Sequence, residues 1–260
     1  ENSRKSPGYK SIVHVDANNA GAFQKIKSAL DHRVGGLEVH DLKEEEAFRE
    51  LNAGKYGEMY QYFRSGQGQN LSASSDVMRV ALIKKYGGIY LDTDDVLTKG
   101  VGDVMLKATP NDILMNSPVT YAATDFNGFN TSNFASHPDN PLLDTLMEES
   151  YQRYKANESW LQANRPFLPE EATTAEQQAY KEYETKIFEI TGPRMFGDVL
   201  ERENYGFFPI VDEINELLNA RVLLPENYAK KYTELRDYYM PMNHKFGGSI
   251  GAEHSMQHSR

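Results

Sequence analysis

Cysteine is absent from the 260 residues, and tryptophan occurs once. Without cysteine there is no disulfide, no thiolate metal site and no cysteine nucleophile. That absence fits a reducing cytosol, and equally a secreted bacterial chain that unfolds and refolds in transit. No apolar run approaches the roughly 18–20 residues needed to cross a bilayer, so no transmembrane segment is expected. The opening residues 1–8 lack the apolar stretch of a signal peptide. With no initiator Met and a polar tail, both ends read as cut from something longer. Positive charge is scarce: 28 Lys and Arg stand against 38 Asp and Glu, for a net charge of −10 and a pI of about 5.2. Such a surface repels a polyphosphate backbone, which argues against nucleic acid as a partner. Arg64 and Lys84-Lys85 are basic patches too small to reverse that.

What is present is ordinary for a soluble globular chain: 39% hydrophobic and 25% charged residues. The length suits one large domain, residues 1–260, better than two small ones. Lys10 to Asp16 reads as a short buried strand, Ala20 to Leu30 as a helix, Leu37 to Leu42 as a second strand and Glu44 to Phe63 as one helix. Strands are expected at Asp112 to Met115 and Val119 to Ala122, with Pro118 breaking the chain between them. Asn127 to Ser136 reads as a polar loop and Pro141 to Tyr154 as a helix. Residues 155–185 are polar, interrupted by proline, and expected to be a mobile helical excursion outside the core. Gly192-Pro193 introduces a helix through Leu200. Phe207 to Ile210 and Val222 to Pro225 are short apolar segments. Alternating strands and helices in the first half predict an α/β fold with a largely parallel sheet.

The most legible stretch is Leu71 to Leu97. Ser72, Ser74 and Ser75 offer helix caps, Asp76 falls in the first turn, Lys84 and Lys85 in the last, and Gly87-Gly88 stops the helix. Ile89-Tyr90-Leu91 is then a strand that runs into Asp92-Thr93-Asp94-Asp95. A helix, a tight turn and a strand run antiparallel, so the helix start meets the strand's carboxyl end. Asp76 and Arg79, three apart, share a helix face. Asp92 and Asp94, two apart in an extended segment, point the same way. Open α/β sheets bind ligands at this edge. Carboxylates and a guanidinium converging there suit a nucleotide-sugar, whose diphosphate leaving group a hard divalent ion can neutralise. Asp76 can accept bonds from the sugar, Arg79 can donate to sugar or phosphate, and Tyr90 can reach ribose or phosphates. Singly, each feature is weak. An Asp-Xaa-Asp turn is usually a solvated turn, and an Asp/Arg pair on a helix is usually a surface ion pair worth a few tenths of a kcal/mol. A calcium loop fails because position 97 is Leu and the glycine of that loop's turn is missing. In one contiguous unit the features are specific.

Leu71-Ser72-Ala73-Ser74-Ser75-Asp76-Val77-Met78-Arg79, followed by Tyr86-Gly87-Gly88-Ile89-Tyr90-Leu91-Asp92-Thr93-Asp94, resembles the (A/S)-S-D-hydrophobic-x-R … G-G-x-Y-x-D-x-D signature of the DXD-motif glycosyltransferases that include the catalytic domains of the large clostridial cytotoxins. The resemblance implies a GT-A fold, Rossmann-like, with a mostly parallel central sheet flanked by helices. It implies a retaining transfer from UDP-glucose or UDP-GlcNAc with Mn²⁺ or Mg²⁺. For the toxin branch it further implies a secreted bacterial effector that modifies a Rho-family GTPase in the host cytoplasm. Under it, Asp94 is the metal ligand, Asp92 faces ribose and sugar, and Asp76 with Arg79 is the sugar-binding pair. Leu71, Ser75 and Tyr90 line the nucleotide-sugar pocket. Val15-Asp16-Ala17-Asn18 resembles a nucleotide-contacting strand end, which points to Asn18. The segment 130–136 resembles one whose asparagine contacts the donor near the scissile bond, and both Asn130 and Asn133 fit. Ile190-Thr191-Gly192-Pro193 resembles a structural Ser/Thr-Gly-Pro turn. Two family elements are not visible: the first strand that stacks the uracil, and the Ser-Trp element that closes over the diphosphate. His254 and His258, four apart near the end, form a weaker metal candidate, with His258 placed where the family has a metal contact. Rival readings are a transferase for glycan or lipid acceptors and a non-catalytic UDP-sugar or divalent-ion binding module.

Overall fold

The computed structural model describes residues 4, 6–31, 36–93, 95, 110–111, 113–115, 118–121, 126–163, 165–166 and 168–203, with backbone alone at 118–121 and 126–127. Asp94, His254, His258 and the apolar segments at 207–210 and 222–225 lie outside these residues. β1 (Ser11–Val15) pairs in parallel with β2 (Leu37–Asp41), and α1 (Ala20–Asp31) runs between them in sequence. A small cluster of Ala17, Phe23 and Val39 fills the space between helix and sheet.

The expected single helix over Glu44 to Phe63 is two, α2 (Glu46–Ala53) and α3 (Tyr56–Arg64). They break at Gly54-Lys55, where the Gly54 N–H closes the first helix onto the Glu50 and Leu51 carbonyls. The second helix turns back so tightly that a Cβ on Gly57 would stand 2.7 Å from the Asn52 Cα.

α4 (Leu71–Tyr86) begins earlier than expected. Asn70 is its cap, with its side chain accepting from the Ala73 N–H, and the three serines lie inside the helix. Asp76 is therefore in the second turn, beyond the first turn where the helix dipole favours a carboxylate. Gly87 ends the helix as read. Its φ of 65° and a virtual Cβ 2.5 Å from Pro138 Cδ leave room for glycine alone. β3 (Gly88–Leu91) follows directly.

The expected loop at Asn127–Ser136 is instead two strands, β6 (Phe126–Phe129) and β7 (Asn133–Ser136). β6 pairs antiparallel with β5 (Pro118–Tyr121), so Pro118 opens a strand and does not merely separate two. β7 is the middle strand of an antiparallel sheet, between β3 and β4 (Ile113–Met115). A middle strand buried on both faces shows no apolar–polar alternation, and all four residues of β7 are buried. Its polar members have partners: Asn133 bonds Asp95, and Ser136 accepts from Asn140. The described residues thus show an α/β mix whose only parallel pair is β1–β2, not one continuous parallel sheet.

The main core joins α2–α4, β4, β6 and β7 to α5 (Pro141–Ala156), the single turn α6 (Glu158–Leu161), α7 (Thr174–Ile190) and α8 (Pro193–Arg202). Phe63, Phe134 and Phe196 are fully buried there. Each such side chain contributes about 1.5–3 kcal/mol by leaving water. The segment 155–185 carries Leu161 and Tyr183 into this same cluster. α7 is held by a capping box between Thr173 and Glu176, and α5 and α8 each start on a proline.

Candidate active site

Leu71, Ser75 and Arg79 follow at intervals of four and form one stripe along α4. It runs from solvent inward: Leu71 is 54% exposed, Ser75 half-buried, and Arg79 only 4% exposed. The Arg79 guanidinium is the hub. Its Nη2 lies 3.3 Å from Asp76 Oδ1 and 3.5 Å from Asp92 Oδ1. Nη1 donates to the Thr131 carbonyl at 2.6 Å, while Nε and Nη2 donate to the backbone and hydroxyl oxygens of Ser75. The guanidinium carbon also sits 4.7 Å from the centre of the Tyr90 ring. The helix start and the strand tip therefore meet, as the helix–turn–strand argument requires.

Each carboxylate is held in place. Asp92 accepts from the Tyr90 hydroxyl at 2.6 Å, and its backbone N–H donates to the Ser132 carbonyl at 2.7 Å. Asp76, 7% exposed, accepts from Thr191 at 3.0 Å on the oxygen that Arg79 does not use. Asp95 is buried and accepts from the Asn133 amide at 2.9 Å. That amide nitrogen also donates to Ser132 Oγ, while Asn133 Oδ1 is buried with no partner. Asn130 caps the same turn by accepting from the Ser132 N–H.

Burial and charge pull against each other here. Burial pushes the Asp76 carboxyl up to about 6, with Arg79 and Thr191 opposing and Asp92 adding to the rise. Burial alone would lower Arg79, but Asp92, Tyr90 and Asp76 outweigh it and hold the guanidinium charged. The Tyr90 hydroxyl is raised, first by burial and then by Asp92. Because the folded Asp76 binds its proton more tightly than an unfolded one, its contribution to stability is complete below pH ~4 and is lost as pH rises through about 6. Thermal unfolding of Asp76→Asn should therefore gain on the wild type between pH 4 and 7. A constant difference in Tm across that range would contradict this.

Ser75, Asp76, Arg79, Tyr90 and Asp92 thus form one network, with Asn130, Asn133 and Asp95 bordering it. Asn18 and Leu71 are exposed, and neither side chain joins it. Beside Asn18, Asp16 accepts from Tyr60 at 2.8 Å and from Arg64 through two nitrogens. Burial would raise the Asp16 carboxyl, but these bonds outweigh it and hold it low. Sequence reasoning missed the Thr131 carbonyl, which nothing in a side-chain reading can reveal. It read Thr191 as part of a structural turn and did not anticipate that its hydroxyl donates to Asp76.

Residues 5–120, which contain the helix–strand unit, match the family described as a glycosyltransferase sugar-binding region containing DXD motif. The class of protein that this stretch of the chain resembles is therefore that of the glycosyltransferases. Within that class the similarity is to bacterial toxins. Toxin Afp18 of Yersinia ruckeri is 22% identical over 249 residues, covering 91% of this chain and 10% of the relative. A toxin of Photorhabdus asymbiotica is 23% identical over 160 residues, covering 61% of this chain and 5% of the relative. The chain thus spans a tenth or less of the length of these curated relatives. The solved structure of PaToxG glycosyltransferase shares the fold, with a TM-score of 0.60 at 18% identity, covering 91% of this chain and 76% of the other.

Proposed function

We propose that this chain is a single catalytic domain of GT-A type that moves glucose or N-acetylglucosamine from a UDP-sugar to a hydroxyl of a host protein, with retention and with a divalent ion. A Rho-family GTPase in the host cytoplasm is the acceptor that the toxin resemblance favours. The observation that carries this reading is the single Arg79 guanidinium nitrogen shared by Asp76 and Asp92, at the junction of α4 and β3.

The donor set at the junction suits a hard ion, because every group in it is an oxygen: the carboxylates of Asp92 and Asp95 and the partnerless Asn133 Oδ1. Asp94 is proposed as the direct ligand. A bound Mg²⁺ or Mn²⁺ supplies positive charge to a departing diphosphate. The chain's own residues supply position. Arg79 fixes Asp76 and Asp92 relative to each other, and Tyr90 orients Asp92. With one oxygen on Arg79 and the other on Thr191, Asp76 presents only its remaining lone pairs to sugar hydroxyls. Asn133 Oδ1 is a buried acceptor awaiting a donor. The anomeric carbon would gain oxocarbenium character as its bond to the UDP oxygen breaks, and the acceptor hydroxyl would enter from the same face, giving up its proton to the leaving phosphate. Preorganised charge around the leaving group supplies most of the rate.

A coupled assay for UDP release tests the reading. UDP should appear from UDP-glucose or UDP-GlcNAc with Mn²⁺, stop with EDTA, and resume when Mn²⁺ is restored. Donor binding with no release would instead make the chain a binding module. Radiolabelled donor with host lysate then separates a protein acceptor from a glycan or lipid.

A further inference from the structure

At the opposite end of α4 lies a second polar cluster that the transfer chemistry does not use. His14 on β1 and His40 on β2 are direct partners across the parallel pair. Their rings meet edge to face, 5.8 Å apart at 84°. Glu45, the residue that precedes α2, brings its Oε1 to 2.7 Å from His40 Nδ1 and 3.5 Å from His14 Nδ1. One ligand atom from each residue lies within 4.8 Å of the others.

Two features are unsatisfied in the bare chain. His14 Nδ1 is buried without a hydrogen-bond partner. His40 has the reverse problem: both ring nitrogens face carboxylates, Nδ1 toward Glu45 and Nε2 toward Glu38 at 3.0 Å. A neutral imidazole can donate through only one of them. A cation among His14 Nδ1, His40 Nδ1 and Glu45 Oε1 removes both at once. It takes up the two nitrogen lone pairs, balances Glu45, and leaves His40 Nε2–H to donate to Glu38.

The surroundings are those of a metal site. Ligating histidines commonly donate their second nitrogen to a carboxylate, and ligating carboxylates are themselves hydrogen-bonded. Here Glu38 faces His40 and is held by Lys10 at 2.9 Å, while Tyr86 donates to Glu45 Oε2 at 2.7 Å. Bonds of about 2.0–2.1 Å in a tetrahedron place ligand atoms about 3.3 Å apart, a value the separations of 2.7 and 3.5 Å bracket. The side chains of His14, His40 and Glu45 are 20%, 32% and 15% exposed, so one side stays open to water.

We propose that His14, His40 and Glu45 bind a divalent transition ion of the Zn²⁺ type, with a water in the fourth position. Two imidazoles and one carboxylate select such an ion over Mg²⁺ or Mn²⁺, which prefer all-oxygen sets. The ion ties β1, β2 and the start of α2 together, and through Tyr86 touches the end of α4. Tyr86 is ten residues from Asp76, about 15 Å along the helix axis, so the site is separate from the Asp92 junction. The role is structural: it fixes the strand whose continuation is Asp16 to Asn18. This inference stands independently of the transferase reading.

The test is equilibrium dialysis of the full chain, stripped with EDTA, against Zn²⁺ in a buffer containing Mg²⁺, alongside thermal unfolding. The wild type should bind one equivalent and unfold at higher temperature with Zn²⁺. Co²⁺ should give the visible absorption of a four-coordinate ion. His14→Ala and His40→Ala should each lose that equivalent and the Tm rise, and Glu38→Gln should weaken binding by about 10–100-fold. Unfolding in EDTA checks that each variant folds; if His14→Ala does not, Glu45→Gln replaces it. Absence of stoichiometric binding would overturn the proposal. So would binding that survives in the doubly substituted His14→Ala/His40→Ala chain, since the ion would then sit on other histidines.

Discussion

Asp92→Asn combined with Asp94→Asn should lower UDP release by about 10³-fold or more while the chain stays folded. Both changes keep size and shape and remove charge. The amide oxygen introduced at position 92 can still accept from Tyr90, which now donates to Asp92 at 2.6 Å, and Arg79 keeps Asp76 at 3.3 Å. The packing that holds β3 is therefore retained, and the loss falls on the negative charge available for an ion and a sugar. The measurement is initial rate at saturating donor, with far-UV circular dichroism and Tm as checks on fold. Near-wild-type turnover in a folded double variant would remove the DXD chemistry from this chain.

Arg79→Met should cost about 3–5 kcal/mol of stability, more than any other single change at the site. Met fills much of the volume, but it leaves Asp76 and Asp92 facing each other in a buried space with no cation between them. It also strands the Thr131 carbonyl that Arg79 meets at 2.6 Å. The surface ion pairs give the contrast. Half-buried Lys85 reaches out to the exposed Glu46 and Glu50, and such a surface pair is worth about 0–1 kcal/mol. Urea unfolding measures the loss. If unpaired charge is its cause, adding Asp76→Asn to Arg79→Met should recover part of it, giving a coupling of about 0.5–3 kcal/mol. Strict additivity would mean that lost packing, not charge, explains the Arg79 effect.

The helix–turn–strand unit was legible because its signals are local. Gly87-Gly88 ends α4, Lys84 and Lys85 close its last turn, and the three-residue spacing puts Asp76 and Arg79 on the face that meets Asp92. The misreadings came from information that is not local. The serines looked like caps because they are good caps, yet Asn70 lies one residue before the helix and reaches Ala73 first. The stretch at 127–136 looked like a loop because it is polar. Its place as the middle strand is set by the neighbours β3 and β4, which supply partners a sequence window does not contain. Glu44 to Phe63 kept helical periodicity across Gly54, so nothing in the pattern marked the break. The role of Thr191 depends on a contact spanning 115 positions with Asp76.

That middle strand also sets an order of assembly. α4 can form from its own residues, but Arg79 also needs the Thr131 carbonyl and the Asp92 N–H needs the Ser132 carbonyl, both in the turn that leads into β7 and about 50 and 40 positions further along. Pairings of such separation wait on loop closure, and they form late relative to helices. A refolding chain therefore recovers its helical signal before Arg79 and Asp92 are held in place, because the carbonyls that receive them sit in a turn that arrives afterwards.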